Sequence, residues 1–392
     1  MTGKERIRLA MNHEEADRVP VFCQLSLGHY MINTPYEPYL IWFSPKVFGD
    51  ALKMLAEKYH FDGILVNLPG RERDWENHIV KRDRREGETV IYWDDGSYSI
   101  CPDNDNVHNF SGKERPTFDE VDSEDFFYIE PHDITGVKHA YYYGFRKEHG
   151  PHNRDFFPEY LMDTLKYVVK IAGKDFHVSS EIFSPFTQFM EFFDHSNALM
   201  ALIDNPQKCE KILENLSKGA GELSMLQATT GVDAILVSSA FAGGGFISKD
   251  FYRRFVLPYE KHVVDKVHRE TELPVYVHTC GAIGDRIDLM IEAGYEGIDT
   301  MDPPPLGNTE IGEVKVRFGE KIFLKGNLDP VNVLLKGTKE DVYNKAVWLI
   351  EQAGKAGGYI LSTACSVAPR ASPANISQLY RASVEYPYPK RA

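Results

Sequence analysis

The sequence predicts an α/β fold built on a (β/α)8 barrel, with one long insertion after the second strand. Short apolar runs rich in β-branched residues recur eight times, and longer segments with a helical period lie between them. Several runs are almost continuously apolar, as strands are when both faces of a parallel sheet are covered. Eight strands, each followed by a helix, is the count of such a barrel; a doubly wound open sheet shares the same local pattern. The 392-residue length exceeds a typical domain, but barrels of this kind often do.

Strands are expected in order along the chain. RVPVFCQL (18–25) and DGILVN (62–67) come first. The rhythm then stops. From Pro69 to Asp175 no barrel strand is expected, far more chain than an ordinary strand-to-helix loop needs. Within that stretch GETVIYWDDGSYSICP (87–102) alternates around Asp95-Gly96 and predicts a β-hairpin. Near 159–172, Leu161, Leu165, Val168, Val169 and Ala172 share one helical face. An insertion after the C-terminal end of a barrel strand lies over the mouth. Residues 69–175 are therefore expected to form a cap or docking subdomain on a single barrel domain spanning 1–392, with mere decoration as the simpler alternative.

The barrel resumes with FHVSSEI (176–182), DAILVSS (233–239), PVYVHT (274–279), GIDTM (297–301), KIFLKG (321–326) and GYILST (358–363). Amphipathic helices are expected over 210–223, over 285–293 with a stop at Gly294, and over 341–353. After the last strand, Ser372 and Pro373 offer an N-cap and a first helical residue.

Lys and Arg total 44 against 58 Asp and Glu, a net charge of −14, which speaks against nucleic acid and anionic membranes as partners. No window approaches the length of a membrane span. The N-terminal MTGKERIRLAMNHEEADRVP is charged where a signal peptide is apolar, so a cytoplasmic location is expected. Five cysteines in a chain of this size do not suggest a disulfide framework. Cys101 and Cys209 read as small buried hydrophobes. Cys23, Cys280 and Cys365 need a closer look.

On a strand, His278 and Cys280 of VYVHTC point to the same side, and Gly281 then frees the chain to turn. Cys365, in LSTACSVAP, follows the end of the last strand at the same rim. One imidazole and two thiols suit Zn²⁺, and three protein ligands with a fourth exchangeable position is the catalytic pattern. Buried packing residues are the alternative for each.

HTCG ending the fifth strand, GNLDP (326–330) after the seventh, ACSVAPRASPANI and the opening KERIRLAMNHEEADRVPV resemble the uroporphyrinogen decarboxylase superfamily. The His–x–Cys pair with a distant Cys is similar to its zinc-dependent corrinoid (methylcobamide) methyltransferase branch. That resemblance covers most of the barrel but not 69–175. It implies that His278, Cys280 and Cys365 are zinc ligands and that a corrinoid (cobalamin) is carried by a separate partner protein. The related cobalamin-independent methionine synthases add an acidic ligand, for which Asp302 is the nearest candidate, with Asp299 a rival and Glu181 a further possibility. Asp302 and Glu181 are also the candidate catalytic carboxylates.

The implied activity is movement of a methyl group to or from a corrinoid. The donor is a methoxylated aromatic (O-demethylation) or another small methylated compound, or the acceptor is a thiol or folate. Zinc deprotonates a thiol acceptor, or acts as a Lewis acid on a methoxyl oxygen. Tyr30, Tyr36, Tyr39, Phe43, Trp75, Phe183, Phe186 and Phe241 are candidates to enclose an aromatic donor, with core packing as the plainer account. FAGGGF (241–246) lacks the context of a phosphate-cradling loop. Two rival functions stand. A cofactor-free decarboxylase would hold several substrate carboxylates with arginines near the first strand, yet no arginine lies between Arg18 and Arg71. A non-catalytic binding protein on the same barrel is the other.

Overall fold

The computed structural model describes residues 1–110, 116–130 and 152–388. Residues 111–115 and 131–151 of the predicted insertion lie outside that description. Seven parallel strands form the barrel sheet in the order β1 (Gly63–Val66), β6 (His177–Phe183), β7 (Ala234–Ser238), β8 (Val275–Thr279), β9 (Gly297–Thr300), β10 (Phe323–Leu328) and β11 (Tyr359–Thr363). Each falls on a predicted run.

The eighth position corrects one expectation. Residues 18–25 are extended between β1 and β11 but form no continuous strand, only isolated bridges at Val21–Leu361 and Leu25–Val367. Pro20 has no N–H to give to a ladder. The Val21 N–H goes to the Asp62 carboxylate at 2.8 Å rather than to a backbone carbonyl. Even so, the segment bonds to both neighbours: Asp62 N–H donates to Val21 O, and Phe22 N–H to Leu361 O. It closes the cylinder.

The first helix, Gly3–Met11, begins at a Thr2–Glu5 capping box. Its Ile7, Ala10 and Met11 pack with Phe22, Leu65, Tyr276 and Phe323 in a core separate from the main one. This apolar plug fills the lower barrel. Side chains two apart on a strand share a face, so the next inward layer is read directly from the sequence: His278 follows Tyr276, and Lys325 follows Phe323. The register places His278 beside Ser238 on one side and Asp299 on the other, and Asp299 beside Lys325. The layer above the plug is polar and sits toward the C-terminal strand ends.

The predicted hairpin is present as β3 (Glu88–Trp93) and β4 (Tyr98–Pro102), with Gly96 at φ 86° in the turn. It belongs to a larger antiparallel sheet completed by β2 (Ile79–Arg85) and β5 (His108–Phe110), neither of which the sequence reading expected. β2 reads IVKRDRR, and a charged edge strand shows little apolar alternation. Cys101 and Cys209 are buried, in line with a packing role. The predicted helices appear as Asp163–Ala172, Pro206–Ala228, Ile287–Glu292, Lys339–Ala353 and Pro373–Glu385. Among the described residues no helix is long and apolar enough to cross a membrane.

Candidate metal centre

Three chain segments deliver the predicted trio to one point. His278 is the penultimate residue of β8, Cys280 follows that strand's end, and Cys365 lies just past β11. The Ala364 N–H bonds to Leu328 O, and Cys365 O accepts from Thr363 Oγ1 at 2.6 Å, which pins the turn that carries the thiol. The ligand atoms of His278, Cys280 and Cys365 all lie within 4.8 Å of one another. Cys280 Sγ is 3.7 Å from Cys365 Sγ and 3.4 Å from His278 Nε2.

These spacings can be tested against zinc. Tetrahedral bonds of about 2.3 Å to sulfur and about 2.0 Å to nitrogen put two sulfurs about 3.8 Å apart and a sulfur and a nitrogen about 3.5 Å apart. The donor set and its spacing fit the ion. Cys23, the third cysteine in question, is buried and stands outside this cluster.

His278 is oriented from behind. Its Nδ1 is 3.4 Å from Asp299 Oδ2, while Lys325 Nζ donates to Asp299 Oδ1 at 2.8 Å. Burial opposes charge on Asp299, yet Lys325 and His278 outweigh it and hold the carboxyl below its ordinary range. A hydrogen bond from Nδ1 leaves the Nε2 lone pair for the sulfur side, the arrangement that suits a metal-ligating histidine. Burial also opposes an imidazolium at His278, but Asp299 and Cys365 raise its pKa to about 10. The hydrogen bond from Cys280 draws the Cys365 thiol well below its usual value, despite burial. The same bond, with burial, pushes Cys280 up. A thiolate beside an imidazolium is the charge pattern that a cation would replace.

The acidic candidates divide. Asp299 sits behind His278, away from the sulfurs, and so serves the ligand rather than the ligand position. Asp302 Oδ2 accepts from the Gly281 N–H at 2.6 Å, which makes it a rim carboxylate bonded to a loop amide. Burial raises its pKa to about 6. Neither aspartate belongs to the group of atoms within ligand distance. Glu181, near the end of β6, is pushed to about 7, chiefly by burial, with Ser238 and His278 pulling the other way.

The backbone around Asp302 is strained. Thr300 and Met301 have φ of 94° and 57°, a region that β-branched and bulky residues rarely enter. Asn327 Nδ2 holds Met301 O at 2.7 Å, and Thr300 Oγ1 accepts from the Thr279 N–H at 3.2 Å. Two further supports escaped the sequence reading. Arg286, 1% exposed, donates to Ala242 O at 2.7 Å and Ile247 O at 3.1 Å. That clamps the FAGGGF loop against the Cys280–Ala282 turn, where the Gly244 N–H donates to Ala282 O at 2.7 Å. Lys325 was missed as well, although a lone cation inside the apolar run KIFLKG was its signal.

Most of the candidate aromatics are packing residues. Trp75 stacks on Phe43 at 5.2 Å, Tyr30 and Phe186 are buried, and Tyr36 and Tyr39 lean on the main core. Phe241 packs edge-on against Phe246. Phe183 lines a cavity beside Glu181.

Comparison with known proteins extends this picture. The chain is 25% identical over 232 residues to the methylcobamide:CoM methyltransferase MtbA of Methanosarcina acetivorans, covering 58% of this chain and 64% of that protein. The MtbA of Methanosarcina mazei is 26% identical over the same shares. The uroporphyrinogen decarboxylase of Chlorobaculum parvum is 27% identical over 191 residues, 47% of this chain and 51% of that one. The chain thus spans less than two thirds of the length of these curated relatives. In structure it resembles a methyltransferase from Methanosarcina mazei with a TM-score of 0.66, at 16% identity, over 98% of this chain and 99% of that one, a likeness of fold. Residues 149–386 match the family model described as uroporphyrinogen decarboxylase (URO-D), and the chain belongs to that family.

Proposed function

We infer that this protein is a zinc-dependent methyltransferase that moves a methyl group to or from a corrinoid held by a partner protein. The single observation that carries the reading is the 3.7 Å and 3.4 Å spacing of two sulfurs and an imidazole nitrogen at the barrel mouth. The similarity to two methylcobamide methyltransferases supports the reaction class.

His278, Cys280 and Cys365 would hold the ion. When bound, zinc supplies Lewis acidity, which either turns a thiol acceptor into a thiolate or draws electron density from a methoxyl oxygen. The protein's own groups do the rest. Asp299 accepts from His278 Nδ1 and fixes the ring, and Lys325 holds Asp299 in place. Glu181, with a pKa of about 7, can keep or release a proton at its carboxyl near neutral pH. Asp302 stands ready for the same work on the other side. The insertion, including its four-stranded sheet, forms a cap or docking subdomain above the strand ends, and the methyl donor or acceptor is a small molecule.

The decarboxylase reading is disfavoured by charge. A substrate with several carboxylates would meet Glu181 and Asp302, not a cluster of arginines. A purely binding protein would have no need of two converging thiols.

Metal analysis after purification without chelator tests the centre. About one zinc per chain is expected, with Cys280→Ser and Cys365→Ser largely metal-free. Incubation with methylcobalamin and thiols or folate, and of cobalt(I) cobalamin with methoxylated aromatics, tests the reaction through the cobalt absorbance. Full zinc occupancy in both variants would refute the ligand assignment. Absence of methyl transfer in either direction from a zinc-loaded protein would refute the reaction.

A further inference from the structure

Between β6 and the insertion lies a cavity of about 30 Å3, room for about two water-sized groups. Its walls are mostly apolar, with Leu165, Phe183 and Leu223 among them, and its polar residues are Asn67 after β1, Tyr128 and Glu130 from the insertion, Glu181 from β6 and Gln227 from the helix Pro206–Ala228. The chain fixes these groups firmly. The Ile129 N–H donates to Gln188 Oε1 at 2.9 Å, and Gln188 Nε2 donates to Phe183 O at 2.8 Å, so the segment carrying Glu130 is tied to the barrel beside Glu181.

Acceptors outnumber donors among these polar residues, since the Tyr128 hydroxyl is already committed to Glu130. Gln227 is only 6% exposed, and its Nε2 donates to Glu181 O at 2.8 Å. Because a backbone carbonyl only accepts, this bond fixes the amide orientation and leaves Oε1 as an acceptor with no partner among the described residues. Glu130 receives one donor, the Tyr128 hydroxyl at 2.9 Å on Oε2. Two buried carboxyl groups and an orphaned carbonyl oxygen in an apolar setting, with Arg71 outside the lining acting on Glu130, suit a ligand that brings donors and positive charge.

We propose that this cavity binds a small alkylammonium cation, with the N–H groups toward Glu130, Glu181 and Gln227 and the alkyl carbon against the apolar wall. A hard divalent ion is a poorer fit. Such an ion seeks six or more oxygen ligands or several retained waters, and the cavity has room for only about two water-sized groups. A neutral alcohol of equal size brings one donor and no charge for several acceptors. Glu181 lies between this cavity and the metal centre, since Ser238 bonds to it and pairs in register with His278. Only the further idea that the bound amine is the methyl donor rests on the methyltransferase reading; binding itself does not.

Calorimetric titration of the full chain with methylammonium chloride tests the proposal, with methanol, potassium chloride and magnesium chloride as parallel titrants. Saturable binding of methylammonium alone is expected. Glu130→Gln, Glu181→Gln and Gln227→Leu should each weaken it tenfold or more, and Cys280→Ser should leave it unchanged. Failure of the zinc reading would therefore not touch this result. No saturable binding of methylammonium to the unaltered protein overturns the proposal, whatever the variants do. Equal binding of methanol or magnesium, or full affinity in Glu130→Gln and Glu181→Gln with unaltered melting curves, also overturns it.

Discussion

Asp299 is flanked by the His278 ring and the Lys325 ammonium, and the Lys325–Asp299 pair is almost fully enclosed, with side-chain exposures of 1% and 4%. Such a pair adds little net stability over a well-packed apolar substitute, but removal of one partner leaves a buried charge uncompensated. Lys325→Met is expected to destabilise the protein by about 3–5 kcal/mol, read from denaturant melts. Asp299→Asn keeps the shape and loses the acceptor charge behind His278. It should weaken zinc binding by about 10–100-fold in a chelator competition while the fold persists. Unchanged zinc affinity in Asp299→Asn would mean that the ring is oriented by something else. The two cysteines and His278 were legible in the sequence because strand alternation and strand ends are local properties. The role of Asp299 was not, because it depends on which strand lies next to β8.

At the scale of elements, turns and clamps set the site. A Cβ on Gly243 would lie 2.2 Å from Cys280 O, a backbone atom that cannot yield without moving Cys280. Gly243→Ala is expected to cost about 1–3 kcal/mol in stability. It should also lower zinc affinity, and normal affinity would show that the turn tolerates displacement. Gly326, at φ 142° with Thr300 O 2.5 Å from its would-be Cβ, marks a second close approach in the GNLDP motif. The insertion is held by side chains that reach its backbone. Gln188 bonds to Ile129, Asn215 Nδ2 donates to Ser123 O at 2.9 Å, and Lys208 Nζ donates to Phe118 O at 2.6 Å. Gln188→Leu leaves a buried N–H and C=O unpaired, about 1–3 kcal/mol each. Faster proteolysis within 117–130, with the barrel intact, is the expected sign. The hairpin of this insertion could be read from Asp95-Gly96, whereas its outer strands lacked both turn and alternation signals.

For the whole molecule, burial of titratable groups sets the pH range of stability. His29 and His177 are enclosed, and burial lowers both to about 4 from an ordinary 6.5. Between those values the unfolded chain binds protons that the folded chain refuses, so their contribution is whole above about pH 6.5 and is lost as pH falls toward 4. Glu260 has the opposite sign. Burial raises it from 4.5 to about 7, although the hydroxyls of Tyr295 and Tyr252 at 3.0 Å and 3.4 Å, together with Ser239, favour its charged form. Its contribution is whole below about pH 4.5 and is lost as pH rises through 7. Melting temperature measured against pH should show both limbs, with His177→Gln flattening the acid side and Glu260→Gln the neutral side. A Glu260→Gln profile parallel to that of the unaltered protein would count against this account.

What the sequence alone determined was the alternation of strand and helix, the place of the insertion, and the two strand ends that carry His278, Cys280 and Cys365. These follow from periodicity and from residue chemistry over a few neighbours. Only the tertiary structure decided that residues 18–25 close the barrel without forming a full strand, that Lys325 and Asp299 stand behind His278, and that Glu130 meets Glu181 and Gln227. Each of these is a matter of which distant segments become neighbours. That is settled by the closure of the sheet and the packing of the insertion on it, and no local pattern records it.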